Sequence, residues 1–185
     1  MTYYQYPGFN ASQAVPDTKR KLFISYHHAG DGAYYQALAA LYGKQGYDII
    51  QDNSLRDARD SDDPEYVMRA IRENHIAGTS CTIVLCGAVT YKRKYVDWEI
   101  RGTLDKHHGL IGVYLPTIYR NPLSRPLIVP DRLHENIQSG YAVWISWEIA
   151  MSGPLTLLTH LEDAISRSKS KIVNTHPMMT RNAPQ

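Results

Sequence analysis

The run "TSCTIVLCG", Thr79–Gly87, constrains this chain more than any other stretch. It is almost continuously apolar and lacks the polar alternation of a strand with one wet face, so it reads as a strand buried on both sides. Such strands belong to parallel sheets, whose crossover connections lay helices on both faces. The rest of the sequence must then supply those helices and further strands.

It does so in alternation. Residues 1–19 are polar, carry two prolines and read as an arm. "KLFISYH" (Lys21–His27) is a short buried strand, "HAGDG" a turn-rich loop, and "AYYQALAALYGKQGY" a helix. Tyr34, Leu38, Leu41 and Tyr42 form that helix's apolar stripe, and Gly43 or Gly46 stops it. "YDIIQD" (Tyr47–Asp52) is a second strand, followed by the charged loop "NSLRDARDSDD". Asp63 and Pro64 suit the N-cap and first position of the next helix. Tyr66, Met68, Ile71 and Ile76 give that helix its apolar surface, and Gly78 ends it. After the strand "TSCTIVLCG" come a helix opening with "TYKRKYVDWEI" (Thr90–Ile100) and the strand "GLIGVYL". Four prolines mark residues 116–140 as an irregular excursion. "YAVWISW" is a final short strand, and "PLTLLTHLEDAISRS" closes the pattern with Leu157, Leu161 and Ile165 one turn apart. Residues 170–185 read as a frayed tail. The expectation is one α/β domain over 20–169, with a central parallel sheet and helices on both faces.

At 185 residues the chain suffices for one core. A net charge of +2 gives no electrostatic case for a nucleic-acid partner. No apolar run reaches the roughly 20 residues needed to span a bilayer, so no membrane partner is expected. Cys81 and Cys86 lie five apart in one strand and point to opposite faces, which rules out a mutual disulfide. With no zinc-type spacing and no signal-peptide pattern, the expectation is a soluble, cytoplasmic chain without a metal. Fourteen tyrosines against two phenylalanines suit wet grooves as well as core edges.

In parallel sheets ligands sit beyond the carboxyl ends of the strands. Candidate chemistry therefore falls after His27, after Asp52 and at the start of the helix after Cys86. On that helix Val96, Ile100, Thr103 and Leu104 face the sheet, and Glu99 lies at the border of the stripe. Tyr95 precedes it by one turn, so both can enter one groove. Glu99 is then either a carboxylate placed to meet a sugar ring or a boundary charge paired with Lys92 or Lys106. The adjacent pairs His27–His28 and His107–His108 face divergent directions and make no natural two-ligand metal site. "HAGDG" puts glycines ahead of a helix without forming a phosphate-binding motif. Lys92–Lys94 ("KRK") sits unfavourably at a helix start, leaving a basic patch open to an anion or another subunit.

Together "KLFISYHH" and "SCTIVLCGAVTYKRKYVDWEIRGTLDKHHGLIGVYLP" resemble the TIR-like domains of bacteria and archaea, among them the TIR subunits of Thoeris antiphage systems. The resemblance covers about residues 20–115. It implies a flavodoxin-like TIR fold and, as in many members, cleavage of NAD as a substrate, with no separate cofactor. The family's catalytic glutamate maps onto Glu99. Its groove residues map onto Phe23, Ser25, Tyr26 and His27, and more loosely onto Asp52 and Ser54. Tyr95 and Trp98 join the expected substrate-binding set through their place beside Glu99.

The function so implied is an NAD-cleaving enzyme that makes an ADP-ribose-derived signal, either a cyclic isomer or a conjugate, in antiphage defence. A separate downstream effector would receive that signal. Head-to-tail self-association, filament-like rather than closed, is implied as well. Two other readings stay open: a TIR-like interaction module without catalysis, and a regulator that binds the nucleotide without turnover.

Overall fold

The computed structural model describes residues 21–43, 48–50, 63–118 and 128–183. Five described strands, β1 (Lys21–Ser25), β2 (Asp48–Ile50), β3 (Cys81–Cys86), β4 (Gly109–Tyr114) and β5 (Val143–Ser146), form one sheet in the order β2-β1-β3-β4-β5. Every pairing is parallel, with Ser25 opposite Val84, Cys86 opposite Tyr114 and Tyr114 opposite Ser146. This is the flavodoxin-like order, and its direction reverses between β1 and β3. β3 is buried at all six positions, as its composition requires.

Alternation along each strand divides the core. Leu22, Ile24, Cys81, Ile83, Leu85, Ile111, Val113, Val143 and Ile145 point to one face. There they meet Tyr35, Leu38 and Tyr42 of α1 (His28–Gly43), and Leu157, Leu161 and Ala164 of a C-terminal helix (Pro154–Ser166). On the other face Val84, Cys86 and Leu110 pack under Val96, Ile100 and Leu104 of the helix Lys94–Asp105. Phe23 packs there too, against Val67, Met68, Ile71 and Ile76. The helices are numbered α1, α2 (Pro64–Ala70), α3 (Lys94–Asp105), α4 (Asp131–Gln138), α5 (Trp147–Ala150) and α6 (Pro154–Ser166). None of the described helices is long and apolar enough to cross a membrane.

Local chemistry accounts for several boundaries. Asp63 caps α2 through bonds from the amides of Glu65 and Tyr66, with Pro64 at the first position. Gly78, at φ 79°, ends the π-helical turn Ile71–Ile76 that follows α2. The Tyr42 hydroxyl donates to the carbonyls of Ala150 and Gly153, tying α1 to the turn between α5 and α6.

Four expectations are corrected. α1 begins at His28, so "HAGDG" is its first turn and not a loop, with the Gly30 and Asp31 amides donating to the His27 carbonyl. Tyr66 is 48% exposed, and Val67 takes its place in the core. Within the excursion 116–140, residues 131–138 are helical, and they bury Arg132 and Asn136 beside Leu133.

The fourth correction concerns the tail. Residues 167–183 form a strap laid across α4 and α3. Arg167 donates to the carbonyls of Gly140 and Ala142, and Asn136 exchanges bonds with the backbone of Val173. Arg132, fully buried, donates to Asp97, to Asn174 and to the carbonyls of His176 and Pro177. Ile172 and Met178 pack onto the core beneath. The strap is held by hydrogen bonds more than by an apolar stripe.

Candidate active site

Ser25 is the last residue of β1 and shares its face with Phe23, so its side chain points toward α3. There its hydroxyl donates to Glu99 Oε2 at 2.6 Å, a separation typical of a hydroxyl on a carboxylate. Glu99 is only 3% exposed, although the sequence places it at the border of an apolar stripe. Its helix is pinned from below. Thr103 Oγ1 donates to the Glu99 carbonyl and lies 2.7 Å from Thr82 Oγ1 on β3. One residue earlier, Gly102 lets the π turn approach closely, since a Cβ there would stand 2.8 Å from Ile76 Cδ1. Helix, strand and turn together leave the carboxylate little freedom.

A cavity of about 250 Å³ opens over Glu99 at the carboxyl ends of β1 and β3, where the strand order reverses. Tyr26, His27, His28 and Ala29 line one wall, while Arg93, Tyr95 and Val96 line another. The Tyr26 ring stacks on Tyr35 at 4.6 Å and lies 4.3 Å from the His28 ring, which fixes its plane. Tyr95 meets Trp98 edge to face at 5.7 Å. Asn182, from the end of the strap, completes the lining.

The electrostatics follow from burial and neighbours. His27 is held below the usual histidine range, first by burial and then by the Arg93 guanidinium, which favours the neutral ring. Asp31 is pushed above the usual carboxylate range by burial, partly offset by the hydrogen bond from Thr90. That hydroxyl in turn accepts from the Gly87 amide at 2.8 Å. Gly87 is needed there, because a Cβ would fall 2.0 Å from Asp31 Oδ1. The chain of bonds fixes the turn between β3 and the 3-10 segment Thr90–Lys92 that leads into α3. Arg93 Nε is buried and has no hydrogen-bond partner among the described residues. An unsatisfied guanidinium donor beside a cavity suits an anionic ligand.

Of the residues expected from sequence, Glu99, Tyr26, His27 and Tyr95 line one cavity, and Ser25 touches Glu99. Phe23 and Trp98 do not line it. Both are buried in the core beneath, and the Trp98 indole donates to the Met179 carbonyl of the strap. Asp52 and Ser54 lie outside the described residues. The sequence reading left Arg93 inside a generic basic patch and treated His28 only as half of a pair. Nothing in the local pattern marks Asn182, which reaches the site through the strap.

A family model described as "Thoeris protein ThsB, TIR-like domain" matches residues 23–119, more than half of the chain. Among solved structures, the TIR domains of the activated Roq1 resistosome recognising the effector XopQ match at 14% identity and a TM-score of 0.39. That match covers 53% of this chain and 58% of the other. A search of curated proteins returns no match.

Proposed function

The chain belongs to the TIR-like domain family of the Thoeris protein ThsB, and on that premise we propose that its cavity cleaves NAD between nicotinamide and ribose. The observation that carries this reading is Glu99: a buried carboxylate, fixed by Ser25, in the wall of a cavity that also holds aromatic rings and an arginine. At about 250 Å³ the cavity is smaller than the ~300–1,000 Å³ that encloses a drug-sized ligand, so it has room for one end of a dinucleotide.

The chemistry suits these groups. As the bond from ribose to nicotinamide breaks, its electron pair leaves with the ring nitrogen, and the cationic nicotinamide departs as a neutral molecule. Positive charge builds on the anomeric carbon, as in glycoside hydrolysis. A carboxylate fixed beside that carbon stabilises the charge without reorganising. Glu99 takes this role and orients the ribose hydroxyls. Tyr26 and Tyr95 offer flat faces to the nicotinamide, and the Arg93 guanidinium suits the pyrophosphate. Capture of the ribosyl cation by water, by a hydroxyl of the same molecule or by another acceptor sets the product, an ADP-ribose derivative that signals to a separate effector in antiphage defence. Self-association through head-to-tail contacts is part of this reading.

The test is mass spectrometry of NAD incubated with the purified protein, at high concentration and with a crowding agent, beside Glu99→Gln. Nicotinamide release by the wild type alone supports the reading, and the co-product mass distinguishes hydrolysis, cyclisation and conjugation. Intact NAD both in vitro and in phage-infected cells expressing the protein would overturn it and favour the interaction module.

A further inference from the structure

The strap does more than cover α3. Its last described residues make four hydrogen bonds around the start of that helix. The Ala183 amide donates to the Lys92 carbonyl, and Asn182 Oδ1 accepts from the Lys94 amide, both at 3.0 Å. The Met179 amide donates to Asp97 Oδ2 at 3.1 Å, and the Met179 carbonyl accepts from Trp98 Nε1 at 2.8 Å.

Every helix begins with amides that its own backbone cannot satisfy. Asparagine, aspartate, serine and threonine ordinarily satisfy one of them from the N-cap position. α3 has Arg93 at that position, whose side chain makes no capping bond among the described residues. The missing acceptor comes instead from Asn182, 88 residues along the chain. The same Asn182 lines the cavity with Arg93, Tyr95 and Glu99. The family match ends at residue 119, so this contact belongs to a part of the chain that the match does not describe.

We propose that Asn182 is a positioning residue of the site: it caps α3 from a distance and so fixes the first turn, which carries Tyr95 and follows Arg93, relative to Glu99 one turn further on. The strap is thereby a working part of the cavity wall. The proposal rests on the NAD-cleaving reading for its catalytic consequence, but the cap itself can be measured without any turnover.

The experiment compares wild type, Asn182→Ala and Asn182→Asp in the full chain. Three readouts are taken: hydrogen exchange at the Lys94 amide, melting temperature, and kcat and KM for nicotinamide release from NAD. Aspartate keeps a side-chain acceptor at the helix start and alanine does not. The expected result for Asn182→Ala is Lys94 exchange at least tenfold faster. Its melting temperature falls by no more than about 4 °C, and kcat falls about tenfold with KM changed less than threefold. Asn182→Asp returns exchange and kcat to within about threefold of wild type. Unchanged exchange in Asn182→Ala overturns the cap, and faster exchange at wild-type kcat overturns the positioning role. If the wild type releases no nicotinamide while exchange responds as stated, the cap stands and the cleavage reading is the one that fails.

Discussion

Asp97 and Glu99 stand two residues apart on α3, each 3% exposed, and they are put to opposite uses. Asp97 turns toward the strap. It accepts from Arg132 Nε at 2.9 Å and from the Met179 amide, so a guanidinium neutralises its charge within the fold. Glu99 turns toward β1, accepts from the neutral Ser25 hydroxyl and borders a cavity. Burial alone therefore does not mark a carboxylate as functional. What separates the two is their place: Asp97 is held against a buried guanidinium between α3 and the strap, and Glu99 stands in the wall of a cavity.

The comparison can be broken at either end. The largest effect is expected from Arg132→Met, which leaves Asp97 buried without its cation. Removing one partner of a buried pair costs about 3–5 kcal/mol, so chemical denaturation should show a loss of that size. Next comes Glu99→Gln, expected to lower nicotinamide release about 10²–10³-fold with the denaturation midpoint nearly unchanged. A large stability loss in Glu99→Gln, or none in Arg132→Met, would erase the distinction. Ser25→Ala removes the hydroxyl that fixes Glu99 and should slow release about tenfold, one hydrogen bond to a charged group being worth ~1.5–3 kcal/mol.

The smallest effect is one of pH. His27 has a folded-state value below that of the unfolded chain, so the unfolded state binds the extra proton first. Stability contributed by neutral His27 is present above about pH 6.5, the ordinary histidine value, and is lost as pH falls toward the lowered folded value. Asp31, raised by burial, has the opposite slope. Its folded form takes up a proton before the unfolded form does, so its contribution improves as pH falls through the raised value. His27→Gln should therefore flatten the decline in stability below pH 6.5, read as denaturation midpoints across pH 4.5–8.

Legibility followed the range of the forces involved. β3 was readable because two-sided burial imprints a continuous apolar run, and the α2 cap because Asp63 acts on amides two and three residues away. α4 was hidden because the face it buries carries Arg132 and Asn136, whose partners lie 35 to 45 residues away. The strap was hidden for the same reason, since partners so distant leave no periodicity to read. The start of α1 was missed because Gly30 and Gly32 argue against a helix, whereas buried Asp31, seated over Gly87, holds that turn in place. Glu99 was legible as a candidate from its helical position and the family resemblance. Arg93 and Asn182 were not, because one depends on an unsatisfied nitrogen and the other on a contact across 88 residues.

The alternation of β3 also equips the molecule with a pair of internal reporters. Cys81 packs into the core on the α1 side and Cys86 into the core under α3, and burial pushes both thiols well above the ordinary cysteine range. Neither is a nucleophile while the sheet is covered. Alkylation by a thiol reagent therefore counts openings of the fold, one cysteine for each half of the core. Equal labelling rates would mean that the two halves come apart together, and unequal rates would identify the half that yields first.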